Sequence, residues 1–180
     1  MKNIAMYSVI ALLCLAMAGG VFLGGPPSTP QRGGGVAAEA AIADLTAADI
    51  GKLDRQREVA KSLFVRVGGD AAALASGSGK VAAIKTVLDK AEGKSSVWEL
   101  QCLGVQFGDA LVQDAGVKWI VASDGSRRRP GLILSGTEGI LFPIGIFVSA
   151  QKSGETIDAV QLFDVVKGQF AELKSGKKPE

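Results

Sequence analysis

The apolar residues of this chain recur with a helical period up to about residue 114 and with a period of two from residue 117. That switch restricts the chain to folds that segregate helices from an antiparallel sheet. A first helix is predicted over 47–66. Thr46 caps it, Asp49 sits at its third position, and Ile50, Leu53, Ala60, Leu63 and Val67 form its apolar stripe. After a loop at 67–79, a second helix is expected over 80–91, with Val81, Ile84, Leu88 and Ala91 inward and Gly93 as terminator. A third is expected over 97–114, opened by a Ser96/Glu99 capping box and striped by Leu100, Leu103, Gly104, Phe107 and Leu111. Gly104 and Gly108 lie one turn apart and weaken the helix, so another part of the backbone should approach that face closely.

From 117 to 122 the pattern alternates, with Val117, Trp119 and Val121 on one face. Asp124-Gly125 signals a turn, 132–134 a short second strand, and 140–150 a long third strand in which Pro143 demands an edge or a bulge. A last helix is expected near 158–172, carrying Val160, Phe163, Val166, Phe170 and Leu173 inward, with Asp158 in its first turn. The expected fold class is therefore α+β: helices packed on one face of a small three-stranded antiparallel β-meander, in the order α-α-α-β-β-β-α.

The N-terminus constrains location. No charged residue occurs from Asn3 to Gln31. Ile4 to Ala18 followed by Ala16-Met17-Ala18 reads as a secretory core and cleavage site, which makes residues 1–18 a signal peptide. Carried on to Gly25, the same stretch is long enough to serve as an uncleaved membrane anchor. Both readings stand, and both place the rest of the chain across the inner membrane, periplasmic, secreted or anchored. Leu13 before Cys14 is too bulky for a lipoprotein signal. Residues 19–40, rich in Gly and Pro, read as a linker; 41–174 as a single domain; 175–180 as a disordered tail.

Composition removes several chemistries. The chain has no histidine, which excludes the commonest general base and every Ser-His or Cys-His nucleophile. Its two cysteines form no CxxC or metal-ligand cluster, and no metal or cofactor is expected. A net charge of +2 gives no reason to expect nucleic acid as a partner. "GSGKVA" at 77–82 lacks the preceding strand of a dinucleotide fingerprint. As a P-loop it has Leu74 where the first glycine belongs and Val81 where Ser/Thr belongs, so it reads as a loop leading into a helix. Ser149-Ala-Gln-Lys152 matches S-x-x-K, but its serine is expected to end a strand rather than open a helix. Glu99, Asp109 and Asp114 share one helix too far apart to form an acid-base dyad and read as a solvated face, with Glu99 capping.

Together "WELQCLGVQFGDAL", "GVKWIVASDG", "LFPIGIFVSA" and "IDAVQLFD" resemble a bacterial family known only as domain of unknown function three-eight-zero-six, over about residues 46–172. The resemblance implies a fold and no activity. In such domains the hairpin after the Trp strand is often acidic, whereas here it carries Arg127, Arg128 and Arg129, so no charge-based role carries over.

Two features remain as candidate interaction sites. The arginine triplet is expected at a hairpin tip, where it serves as a solubilising loop or contacts an anionic partner or lipid headgroups. Trp98, in the first turn of its helix, is the aromatic residue with the best claim to anchor a partner. The expected function is an exported, non-catalytic envelope domain binding another envelope protein, in the manner of immunity or inhibitor proteins. The alternatives are a histidine-independent enzyme relying on residues such as Asp109 or Lys152, and a membrane-tethered structural component.

Overall fold

A computed structural model describes residues 41–123, 127–137 and 139–175. The signal or anchor segment, the linker, Cys14, the Asp124-Gly125 turn and most of the C-terminal tail lie outside the described residues. The elements in order are β1 (Ala41–Ala43), α1 (Ala47–Arg66), a 3-10 turn (Ala71–Ala75), α2 (Gly77–Ala91), α3 (Val97–Ala115), β2 (Lys118–Ser123), β3 (Arg128–Ile133), β4 (Ile140–Leu141), a second 3-10 turn (Pro143–Gly145), α4 (Ile146–Ser153) and α5 (Ala159–Lys174). This is an α+β domain with an antiparallel sheet of order β1-β2-β3-β4.

Three helix starts, those of α1, α3 and α5, are set by residues that sequence reasoning selects. Thr46 Oγ1 accepts from the Asp49 N–H at 3.3 Å while Asp49 accepts from the Thr46 N–H at 2.9 Å. Ser96 and Glu99 repeat the arrangement at α3, with Glu99 accepting from the Ser96 N–H at 2.9 Å. Asp158 is the N-cap of α5 rather than a first-turn residue and accepts from the N–H groups of Val160 and Gln161.

α3 is the central element. Leu100, Cys102, Leu103, Val105, Phe107, Ala110 and Leu111 are buried on several of its faces, and the Phe107 ring meets Phe147 of α4 and Phe163 of α5 edge-to-face at 5.8 and 5.9 Å. The glycines do what their spacing suggests. A Cβ on Gly104 would stand 2.6 Å from Ile144 Cα and from the Pro143 carbonyl, and one on Gly108 would stand 2.3 Å from the Trp119 ring. These two positions let the second 3-10 turn and strand β2 close directly on the helix backbone.

Five expectations need correction. The sheet has four strands, because Ala41–Ala43 pairs antiparallel with Val121–Ser123. Residues 140–150 are not a long strand: pairing stops at Leu141, Pro143 opens a 3-10 turn, and α4 follows with Ile146, Phe147, Val148 and Ala150 buried. Pro143 thus initiates a helix, as its fixed φ and missing N–H favour. The second strand starts at Arg128, not at 132. α2 starts at Gly77, capped by Ser76, so "GSGKVA" is helix rather than loop. Ile50 and Val160, assigned to inward stripes, are 44% and 40% exposed.

Register sorts the strand residues onto two faces. Trp119 pairs with Leu132 and Leu132 with Leu141, a row that packs on the helical core. The alternate residues Ile42, Ile120 and Ile133 line a shallow open groove of about 430 Å³ with Lys118 and Asp44.

Candidate functional site

Two regions gather the residues singled out from sequence, and they lie at opposite ends of α1.

The first is where the C-terminal end of α1 meets the N-terminal end of α3. Val59, Ser62, Leu63 and Arg66 of α1 face Ser96, Trp98 and Glu99 across an open groove of about 570 Å³. Trp98 is 45% exposed. Two further exposed apolar residues, Val65 and Val97, belong to the same helix ends. Arg66 Nη2 donates to Glu99 Oε1 at 2.8 Å and fixes the two helices relative to one another. Glu99 already caps α3, and the Ser96 N–H together with the Arg66 guanidinium holds its carboxyl below the ordinary value of 4.5. Arg66 itself stays 68% exposed at its side chain, and its guanidinium carries donors beyond the one given to Glu99. The groove therefore offers an indole, aliphatic walls and a cation on a rigid frame.

The second region is the hairpin end of the sheet. Arg127 precedes β3; Arg128 and Arg129 are paired strand residues, opposite Ser123 and Ala122. Strand alternation divides them, as expected of neighbouring residues. Arg128 reaches the helix side, where Nη2 donates to Asp49 at 3.0 Å, and Arg129 lies over the Phe142 ring at 5.1 Å on the other face. The Asp49 carboxyl is held below its ordinary value first by the Thr46 side chain and N–H, and less by Arg128.

The carboxylate helix is not a solvated face. Asp109 is 15% exposed at its side chain and accepts from Arg57 Nε and Nη2, both at 2.7 Å, and from Trp119 Nε1 at 2.9 Å. Arg57 also donates to Asp54 at 2.7 Å. Sequence reasoning missed this cluster, although one signal was present: Asp109 is the lone charge between Glu99 and Asp114. A single acid within such an apolar helical stretch needs a partner.

Ser149 lies inside α4 and is exposed, as is Lys152. Among the described residues no hydrogen bond joins them. Asp114 sits against the start of α2, where a Cβ on Gly77 would stand 2.3 Å from its Oδ1. Cys102 is fully buried, and burial pushes its thiol up to about 11. No group of three or more metal-ligating side chains occurs among the described residues, and none of their helices is long and apolar enough to cross a membrane.

Comparison with known proteins matches residues 80–163 to the family described as "Domain of unknown function (DUF3806)". The resemblance seen in the Trp-bearing strand and the Phe-Pro stretch is to that family, and the matched span runs from α2 into α5. A crystal structure from Bacteroides thetaiotaomicron VPI-5482 is similar at a TM-score of 0.62 and 19% identity, covering 76% of this chain and 50% of that one. The likeness is one of fold, and this chain spans about half the length of that protein. No curated protein matches the chain.

Proposed function

We propose that this chain is an exported, envelope-facing interaction domain that docks a protein partner in the groove between α1 and α3, with Trp98 as its anchor. The observation that carries the reading is a tryptophan 45% exposed beside Leu63 and Val59, on helix ends held together by the Arg66–Glu99 pair. Tryptophan and arginine dominate binding hot spots: the indole buries a large surface with few rotamers and keeps a polar handle, and the guanidinium presents a planar fork of donors. The matching partner presents an apolar side chain to the indole and an acceptor to Arg66. An immunity- or inhibitor-like protein works in this way, by occupying a surface rather than by turnover. Export rests on the uncharged run from Asn3 to Gln31. The carboxylate named for a histidine-independent enzyme, Asp109, is engaged by Arg57 and Trp119, so the interaction reading has the stronger support.

The test is capture from envelope extract with the full chain and with Trp98→Ala side by side. One stoichiometric partner retained by the wild type and lost by the variant supports the proposal. A partner retained equally by both moves the site elsewhere, and no stoichiometric partner contradicts it.

A further inference from the structure

We infer that the hairpin end of the sheet is a membrane-facing pole that rests on anionic lipid headgroups, leaving the Trp98 groove pointed away from the bilayer. The argument begins with register. Ala41 pairs with Ser123, and Ser123 pairs with Arg128. The residue where the preceding segment joins the sheet is therefore two strands, about 10 Å, from the arginines. The next row places Ile42 beside Ala122 and Ala122 beside Arg129 on one face. Ile42 is 48% exposed. The Asp49–Arg128 contact brings the first turn of α1 to the same end, and with it Ile50, 44% exposed.

Two of the exposed large apolar residues thus flank three consecutive arginines at the end of the sheet where the chain enters the domain. Cations beside protruding aliphatic side chains are the composition that favours an anionic interface. Arg128 is partly neutralised by Asp49 and Arg129 is itself engaged, lying over the Phe142 ring, so the electrostatic attraction is modest. A domain joined to a membrane segment needs no more than that, because attachment holds the pole at high effective concentration near the surface. α1 runs from Asp49 at this pole to Arg66 at the groove, a rise of about 25 Å.

The inference rests on the proposed envelope location and on nothing about the Trp98 partner. It is tested with the full chain reconstituted in vesicles of phosphatidylcholine alone or with phosphatidylglycerol, by hydrogen exchange of the amides at 41–50 and 123–131. Slower exchange at these segments is expected only in the anionic vesicles, with 96–99 unchanged. About 0.5 M salt should remove the protection from the wild type. Arg127→Gln/Arg129→Gln should lower the docked-to-undocked ratio about fivefold per arginine. Equal exchange in both lipids, or protection that survives both salt and the double variant, overturns the inference. A protein partner held at this pole would give the first of those results while leaving capture through Trp98 intact.

Discussion

Arg57 grips Asp109 through Nε and Nη2, both at 2.7 Å, and the same carboxylate accepts the Trp119 indole N–H at 2.9 Å. One acid thereby ties α3 to α1 across 52 residues of sequence and to β2 across 10. It also keeps Arg57 more firmly protonated than an ordinary arginine, chiefly through the Asp109 hydrogen bonds.

Removing that carboxylate should be expensive. Asp109→Ala leaves a half-buried guanidinium with Asp54 alone and takes the acceptor from the Trp119 N–H, a loss of about 2–3 kcal/mol in urea unfolding. The double variant Arg57→Met/Asp109→Leu should lose less than Asp109→Ala alone, because no charge is left stranded. A larger loss in the double variant would show that the pair contributes net attraction.

The helical glycines should respond in opposite directions. Gly104→Ala and Gly108→Ala gain helix propensity but force a methyl into the Ile144 backbone or the Trp119 ring, for a net loss of about 1–3 kcal/mol. Gly168 in α5 has open space around it, so Gly168→Ala should stabilise by about 0.5–1 kcal/mol. Melting temperatures of the three variants check the contrast.

Acid should weaken the fold in part through Glu99. Its folded-state carboxyl lies below the ordinary 4.5, so the stability it contributes is complete above that pH and is lost as pH falls through the lowered folded value. Glu99→Gln should flatten the acid limb of a plot of melting temperature against pH between about 6 and 3, while lowering stability near neutrality.

Cys102 should be silent in the native state. With Cys14→Ser to remove the other thiol, a thiol reagent at pH 8 should label Cys102 only as fast as the domain opens, because the group is fully buried and its thiolate is disfavoured by burial. Denaturant should accelerate labelling by orders of magnitude. Fast labelling in buffer would place Cys102 in a locally open region.

Local signals carried far in α1, α3 and α5, where the caps and most of each stripe agree with the packing, Ile50 and Val160 apart. They failed where tertiary contacts decide. "ILFPIGIFVSA" is rich in β-formers, but a short run that is apolar on every side fits a buried helix equally well, and packing of Phe147 on Phe107 selects α4. β1 is Ala-Ile-Ala, a strand created by its partner β2 rather than by its own propensity. Arg128, Arg129, Pro130 and Gly131 are poor strand formers held by the β2 ladder. Trp98 was legible because it opens a helix with nothing around it to cover. Its neighbours Val59 and Arg66 were not, since the Arg66–Glu99 contact spans 33 residues and no local pattern encodes it.

The central claim is that Trp98 meets a protein partner at the α1–α3 groove. A photo-cross-linking residue placed at position 98 of the full chain in living cells tests it directly, with Glu172 on the exposed side of α5 as the control position. The account predicts one discrete protein adduct at 98, absent at 172 and reduced by Arg66→Ala. Adducts of equal pattern at both positions, or none at 98, would contradict it.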